Sequence, residues 1–365
     1  MASFERKADL PPPASTVGVL GWTKQNLFST PVNSLLTLGG LYLIYLIIVP
    51  IVNWGLINAD FVGATRYDCN SGGACWIFVL QRLNFFIYGF YPEAEYWRIN
   101  IAFGLLALLI TPQLIENAPF KKILGWFFLT GFPVISGILF VGGVFGLEPV
   151  STDKWGGLAL TLVIAFVGIV AALPIGILLA LGRRSEMPVI RVICVVFIEV
   201  WRGVPLISVL FMASVMLPLF LPDGVNFNKL LRALIGITMF QSAYMAEVIR
   251  GGLQAIPKGQ YEAASALGLG YWRSMSLVIL PQALKLVIPG IVNTFIALFK
   301  DTTLVLIIGL FDILGTLQSV LADPAWPDVS TEGFLFVAFA FWVFTFTMSR
   351  YSIRLEKKLD TSQRN

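Results

Sequence analysis

The sequence predicts an all-α integral membrane protein with about eight transmembrane helices. Of its 365 residues, 57% are hydrophobic and only 13% are charged, so the apolar surface is too large to be hidden in a water-soluble core. Aromatic residues, which favour the two membrane–water interfaces, are abundant, with 29 Phe, 10 Trp and 10 Tyr. Eight apolar segments are long enough to cross the roughly 30 Å of membrane hydrocarbon.

The predicted spans cover 34–56, 99–116, 123–147, 157–182, 200–221, 230–250, 285–311 and 333–350. Residues 76–91 are also apolar, but they contain Gln81, Arg82 and Asn84, and a helix of that length rises only about 24 Å. We therefore expect an aromatic-rich helix lying in the membrane interface rather than a ninth span. Residues 1–33 do not begin with an apolar run and are expected to form a flexible cytoplasmic tail.

Orientation follows from Lys and Arg, which are more frequent in cytoplasmic loops. If the N-terminus lies in the cytoplasm, the inner segments hold most of these residues and the outer segment 312–332 holds none. A ninth span at 76–91 would move Lys121 and Lys122 to the outer side, against this rule. The sequence therefore predicts that both termini are cytoplasmic.

Composition also limits the chemistry. The chain has no histidine and three cysteines, so neither a histidine-based metal site nor a zinc or iron–sulfur site is expected, and no cofactor is expected on this chain. Cys69 and Cys75 lie in the outer loop 58–98, where a disulfide is allowed and two free thiols are the alternative. Glycines that we expect to let helices approach closely are Gly142, Gly143 and Gly146.

The polar insertion at 247–285, between the sixth and seventh predicted spans, contains the most informative pattern. Residues 259–267 favour a short helix, glycines at 268 and 270 end it, and a second helix can follow. The result is a helix–glycine–helix elbow that projects from the membrane, with an acidic group and small alanines that suit a shallow contact surface. The residues that define the elbow are Glu262, Ala263, Ala264, Gly268, Leu280 and Pro281.

This pattern of Glu-Ala-Ala, a glycine after three further residues and a later Leu-Pro resembles the cytoplasmic signature of ABC importer permeases. The family usually has Ile where Val278 stands, which is a conservative departure. The resemblance implies that the elbow docks on a separate ATPase subunit. It also implies a five-helix type I permease core at 151–355 with a coupling loop at 251–284. An N-terminal extension with three spans would precede the core at 34–150, and a cytoplasmic tail would follow it at 356–365.

Three further segments narrow the resemblance to permeases for polar amino acids. They begin at Glu199, Glu247 and Lys300 and read EVWRGVPL, EVIRGG and KDTTL. The extension with three spans is similar in length and layout to the M-type subunit of general L-amino-acid permeases. The chain is therefore expected to form part of the translocation pathway of an amino-acid importer in the bacterial inner membrane.

The resemblance also implies a set of partners. The chain has no G-x-x-x-x-G-K-[ST] loop, so ATP and Mg²⁺ are expected on a partner ATPase dimer and this chain is not expected to be an enzyme. A homologous second permease subunit would complete a heterodimer, and a periplasmic binding protein would deliver an L-amino acid. Membrane lipid is the remaining expected partner, and nucleic acid is not expected.

Charged residues near the inner mouth have two interpretations. Glu199 and Arg202 form a local pair at i and i+3 that neutralises itself. Alternatively, they join Glu247 and Arg250, at the inner end of the neighbouring span, in a charged cytoplasmic gate.

A second charged pair lies nearer the middle of a span. Charges at that depth are costly and indicate a functional site by default. Lys300 and Asp301, with the hydroxyls of Thr302 and Thr303, could receive the carboxylate and ammonium of an amino acid along the substrate path. The alternative is that Lys300 and Asp301 pair with other helices and fix their packing.

A secondary transporter or channel that works without an ATPase is the alternative function. It would explain charges within the membrane but not a helix–glycine–helix elbow. A quinone-linked enzyme subunit is disfavoured, because the chain lacks histidine and clusters of ligating residues.

Overall fold

The computed structural model describes residues 18–115, 118–222 and 227–359. These residues are mainly helical, and the one named strand among them, β1 (Phe311–Asp312), is two residues long. The α-helices in chain order are α1 (Gly18–Asn26), α2 (Pro31–Val52), α3 (Trp76–Gln81), α4 (Leu83–Tyr88), α5 (Tyr96–Leu114), α6 (Lys121–Val141), α7 (Gly157–Arg183), α8 (Pro188–Gly203), α9 (Leu206–Phe211), α10 (Lys229–Ala255), α11 (Lys258–Ala266), α12 (Tyr271–Ser274), α13 (Leu280–Leu286), α14 (Ile288–Asp301), α15 (Ile313–Leu321) and α16 (Ser330–Leu359).

The chain divides into two compact units, Met1–Ile77 and Phe78–Asn365. The second unit contains α5 and α6 together with the predicted permease core. In the first unit, the predicted tail is described only from Gly18, and its described part begins with the short helix α1.

Six helices in the described part of the chain are long and apolar enough to cross a membrane. They correspond to the predicted spans at 34–56, 99–116, 123–147, 157–182, 285–311 and 333–350. A seventh crossing arises if α8 and the segment Leu206–Phe220, which are bent by 104° at their junction, form one span. The predicted span at 230–250 lies in α10, which has 27 residues but carries Arg232, Glu247 and Arg250. The predicted count of eight spans is therefore not confirmed.

The bend between α8 and α9 has a local cause. Pro205 has no backbone N–H, and its ring disfavours a helical conformation at the preceding residue. Val204 is accordingly extended, with φ −111° and ψ 135°. Ile198 on α8 is buried whereas Val192 and Val196 are exposed, so one face of this helix covers the protein and the other is apolar and open. The helix is therefore broken between Gly203 and Leu206.

A seam of small residues joins α7 and α10 at the centre of the second unit. On α7 these residues recur at every fourth position, which places them on one helix face, and all are buried: Gly168, Ala172, Gly176 and Ala180. A Cβ built at Gly176 would lie 2.7 Å from Met245 Cβ, and one built at Gly168 would lie 3.4 Å from Ile237 Cγ2. Both pairs have the same offset in sequence, so α7 and α10 run parallel and in register. Small residues at membrane helix interfaces allow this close approach.

Residues 76–91 differ from the single interfacial helix that we expected. They form α3 and α4, six residues each, and neither is long enough to span a membrane. Phe78 and Phe86 are fully buried, and their rings contact Trp326 and Phe336 at centroid distances of 5.5 and 5.1 Å. The aromatic character of this segment thus reflects packing against the region of α15 and α16.

The loop after α6 also differs from expectation. Its glycines at 142, 143 and 146 have φ values of +69°, +78° and +77°, in a region that residues with a side chain rarely adopt. They shape a turn and do not bring helices together, so the predicted packing role is wrong and α6 ends at Val141.

The start of α7 is joined to the segment after α14. Gly156 and Gly157 form β-bridges with Phe311 and Asp312. Thr161 Oγ1 accepts a hydrogen bond of 3.1 Å from the backbone N–H of Ile313. These bonds fix the end of α7 opposite to Arg183.

The first unit contains α2 and a compact loop. α2 continues as a π-helical turn, Asn53–Ile57, and none of its own residues is buried. In the loop that follows, Cys69 and Cys75 form a disulfide with a Cα–Cα distance of 5.5 Å. Ser71 donates a 2.6 Å hydrogen bond from its hydroxyl to Asp60, which lowers the pKa of that carboxyl.

We expect peptide mass mapping without reductant to recover Cys69 linked to Cys75. Closing so short a loop removes unfolded conformations and stabilises the loop by about 2 kcal/mol. Cys194, which is a free thiol, provides the internal control, since it should take up an alkylating reagent under denaturing conditions. Alkylation of all three cysteines in protein from an oxidising compartment would contradict the bond.

Candidate functional site

The predicted elbow is formed by α11, the residues Leu267–Gly270 and α12. Gly268 has φ +72°. Its N–H bonds to the carbonyl of Ser265 at 2.9 Å, and the N–H of Leu269 bonds to the carbonyl of Ala264 at 3.1 Å. This pair of bonds is a Schellman motif, which ends a helix through a glycine in the left-handed conformation. The chain therefore turns sharply at Gly268, as the sequence predicted.

The outward surface of the elbow is small, apolar and acidic. Glu262 and Ala263 are exposed, and Leu267 and Trp272 are 78% and 67% exposed. Ala264 is buried, so the expectation that both alanines form the contact surface holds only for Ala263. A Cβ at position 268 would meet no atom of the chain within 4 Å, so glycine is needed there for its backbone conformation and not for lack of space within this chain.

The Leu-Pro part of the signature lies at the start of α13. Pro281 is the second residue of this helix, which continues directly from a π-helical turn, Met275–Ile279. The side-chain amide of the next residue, Gln282, donates a 3.0 Å hydrogen bond from Nε2 to Gln260 Oε1 on α11. The two distant halves of the signature are thus adjacent in the fold.

Tyr261 ties the elbow to the two central helices. Its hydroxyl donates to the carbonyl of Leu253 on α10 at 3.1 Å. It also accepts a 3.1 Å bond from Arg184 Nη1, and that guanidinium lies 5.6 Å from the Tyr261 ring centroid. Sequence reasoning missed Tyr261 and Arg184. The available signal was a tyrosine directly before the Glu-Ala-Ala run and two arginines directly after a long apolar helix.

The four predicted gate residues lie near one another and are centred on Glu247. Arg250 contributes two bonds to Glu247 Oε2, at 2.7 Å from Nη2 and 3.0 Å from Nε. Arg202 Nη1 lies 3.9 Å from the same oxygen. The local Glu199–Arg202 pair, which was the alternative interpretation, is not among the salt bridges of the described residues.

Arg183, which the sequence did not single out for this cluster, holds it together. Its Nη1 donates to Glu199 Oε1 at 2.9 Å and to Glu247 Oε1 at 2.8 Å. Three guanidinium groups thus face two carboxylates, and the cluster carries an excess of one positive charge. The side chain of Glu247 is 15% exposed and that of Glu199 is 54% exposed. These ion pairs join the C-terminal end of α7 to α8 and α10.

The predicted substrate path is only partly supported by the geometry. Lys300 is exposed and Asp301 is half-buried, at the point where α14 gives way to a 3₁₀ helix, Thr302–Ile308. Thr302 is fully buried, and its hydroxyl donates to the carbonyl of Phe299 at 2.8 Å. The Thr303 hydroxyl donates to the carbonyl of Lys300 at 2.9 Å. The Thr302 hydroxyl is thus enclosed within the protein, whereas Lys300 is directed away from the core; the substrate-path role of these residues stays a prediction.

Comparison with known proteins places these features in a family context. Residues 172–361 match the family described as binding-protein-dependent transport system inner membrane component. The chain is 56% identical over 344 residues to the inner membrane amino-acid ABC transporter permease protein YhdY of Escherichia coli (strain K12), covering 94% of this chain and 93% of that protein. It is 42% identical to the glutamate/glutamine/aspartate/asparagine transport system permease protein BztC of Rhodobacter capsulatus, covering 99% and 98% of the two chains.

A shorter relative is the probable glutamine ABC transporter permease protein GlnP of Bacillus subtilis (strain 168). It is 32% identical over 202 residues, which are 55% of this chain but 91% of that protein. The first two relatives therefore share the full length of this chain, and the third shares a part of it.

Proposed function

Because the chain belongs to the family of inner membrane components of binding-protein-dependent transport systems, we propose that it forms half of the translocation pathway of an ATP-driven amino-acid importer. The names of its relatives support amino acids as the substrate class, since YhdY is an amino-acid permease and BztC a permease for glutamate, glutamine, aspartate and asparagine.

The elbow carries this proposal. It exposes Leu267 and Glu262 on a sharply turned helix end, and it is bonded through Tyr261 to α7 and α10. A partner ATPase dimer, which binds ATP and Mg²⁺, would receive this surface in a groove. A homologous second permease subunit would complete the pathway, and a periplasmic binding protein would deliver the amino acid.

The test is reconstitution of the assembled complex in proteoliposomes. ATP hydrolysis is measured with the binding protein and a panel of L-amino acids, and uptake is measured with and without ATP. We expect hydrolysis to rise with at least one amino acid and uptake to require ATP. Uptake without ATP by the purified chain would favour a secondary transporter, and a chain that purifies free of any ATPase would contradict the importer.

Both termini are proposed to lie in the cytoplasm, and this orientation is tested with single cysteines in a variant that lacks the native three. An impermeant thiol reagent added from the periplasm should label Ala325→Cys, which lies in the outer segment 312–332 and is exposed. Lys122→Cys, which is also exposed, should react only after the membrane is permeabilised. Periplasmic labelling of Lys122→Cys would reverse the assignment.

Lys300 is proposed to line the substrate path, since an exposed cation within a span needs a partner or a purpose. Lys300→Met should reduce uptake while leaving the amount of assembled complex unchanged. Lys122→Met, which removes an exposed lysine at the start of α6, is the control. Normal uptake by Lys300→Met would return this residue to a structural role.

A further inference from the structure

An elongated apolar cavity of about 300 Å³ lies within the second unit. Its walls come from α5, α6, α7, α14 and α16, all of which are candidate membrane spans. The cavity runs from Trp155 and Phe140 at one end to Phe128 and Ile110 at the other. Phe128 and Phe140 both lie on α6, so the lining extends over about 18 Å of that helix.

Almost no polar groups line the cavity. The hydroxyl of Ser136 lines the cavity, but it already donates to the carbonyl of Phe132 at 2.7 Å. Trp155 is 6% exposed, and its indole N–H is buried without a hydrogen-bond partner among the described residues. Buried indole N–H groups normally have a partner. The cavity therefore has a long apolar lining, and the unsatisfied N–H of Trp155 is buried in the wall at one end.

Water does not suit this space, because an ordered water needs two to four polar partners. Protein interiors contain few voids larger than a water molecule, and an apolar cavity of roughly half this size is enough to hold benzene. Because the helices around this cavity are candidate membrane spans, lipid is the solvent that surrounds them. In the predicted orientation, Trp155 lies at the outer end of α7, where the ester groups of the outer leaflet are found.

We propose that this cavity is a binding site for one acyl chain of a membrane phospholipid. The chain would lie along the aromatic wall of Phe128, Phe132 and Phe166, whose ring centroids are 5.2–5.9 Å apart. The lipid would fill the gap between the extension helices α5 and α6 and the core helices α7, α14 and α16. This site does not depend on the transported substrate.

Gly137 provides a direct test, because it lines the cavity and a Cβ built there meets no atom within 4 Å. Gly137→Phe, or Gly137→Leu as the smaller change, should fill the cavity without disturbing α6. Gly104→Phe is the matched control, since a Cβ at Gly104 also meets no atom within 4 Å and this residue does not line the cavity.

The assembled complex is placed in vesicles of phosphatidylethanolamine and phosphatidylglycerol that contain a phosphatidylethanolamine with a diazirine in its acyl chain. After irradiation, labelled peptides are mapped, and lipid retained through a detergent wash is measured by mass spectrometry. We expect labelling of residues 128–140 and 159–169 in the wild type and in Gly104→Phe, and loss of that labelling in Gly137→Phe.

Labelling that is unchanged in both Gly137 variants would overturn the site, as would a wild-type complex that retains detergent or free fatty acid but no phospholipid. Co-purification of the other subunits shows that each variant is assembled. A Gly137 variant that assembles and still carries the label is therefore a clear negative result.

Discussion

Gly268→Val is expected to abolish most amino-acid uptake while the membrane spans still insert. Gly268 has φ +72° and ends α11 through two backbone bonds. A β-branched residue in this conformation costs roughly 1–3 kcal/mol, which is enough to shift the elbow to other conformations by about fivefold or more. The measurements are ATPase retention during purification, ATP hydrolysis stimulated by the binding protein, and uptake.

Two variants separate the conformational effect from the effect of added bulk. Gly268→Asn adds a side chain that tolerates the left-handed region, so it should retain most coupling if the backbone conformation is what matters. Gly259→Val makes the same substitution in the same helix, where a Cβ has open space and φ is not positive. Retention of the ATPase and wild-type uptake in Gly268→Val would show that this elbow is not the coupling contact.

Glu247→Gln should have the second-largest effect, because Glu247 is the common partner of three arginines. Without its charge, Arg183, Arg202 and Arg250 retain only the exposed Glu199, which bonds to Arg183 alone. Charge-assisted hydrogen bonds of partly buried groups contribute about 2 kcal/mol, so the thermal stability of the purified complex should fall. If the cluster is a cytoplasmic gate, ATP hydrolysis should also become less dependent on the binding protein.

Glu199→Gln is the matched control, because its carboxylate is 54% exposed and surface ion pairs contribute little. Combining Glu247→Gln with Arg202→Gln restores the original net charge of the cluster and should recover part of the lost stability. Lower stability with normal coupling would limit the cluster to a structural role. Unchanged stability and coupling in Glu247→Gln would contradict both roles.

The elbow was predictable from sequence because its determinants are local. A run of helix formers, a glycine and a proline each act on their own part of the backbone, and α11 ends where the glycine requires. The same holds for the break at Pro205. Arg183 was not predictable as a member of the charge cluster, because its bond to Glu247 joins residues that are 64 positions apart. A repeating pattern of residues within one helix does not indicate a contact between residues so far apart in sequence.

The number of spans is hard to count where residues serve two purposes. The charges of α10 belong to the cluster at its inner end, so this helix is less apolar than a span that contacts only lipid and small residues. Residues 76–91 looked interfacial because they are aromatic, but Phe78 and Phe86 are buried by α15 and α16. The hydroxyl of Thr302 is buried where the helix tightens to 3₁₀ directly after Asp301. The composition of this segment does not indicate that change.

The seam of small residues between α7 and α10 has a mechanical consequence. Two helices in such close contact cannot easily slide or rotate against each other, so they should tilt as one body. Each has 27 residues and is therefore about 40 Å long. Tyr261 ties their C-terminal ends to the elbow, and the β-bridges at Gly156 and Gly157 hold the opposite end of α7. A tilt of only about 5° would then displace the end of each helix that is far from the elbow by roughly 3 Å. A small movement of the elbow would therefore produce a larger movement on the opposite side of the membrane.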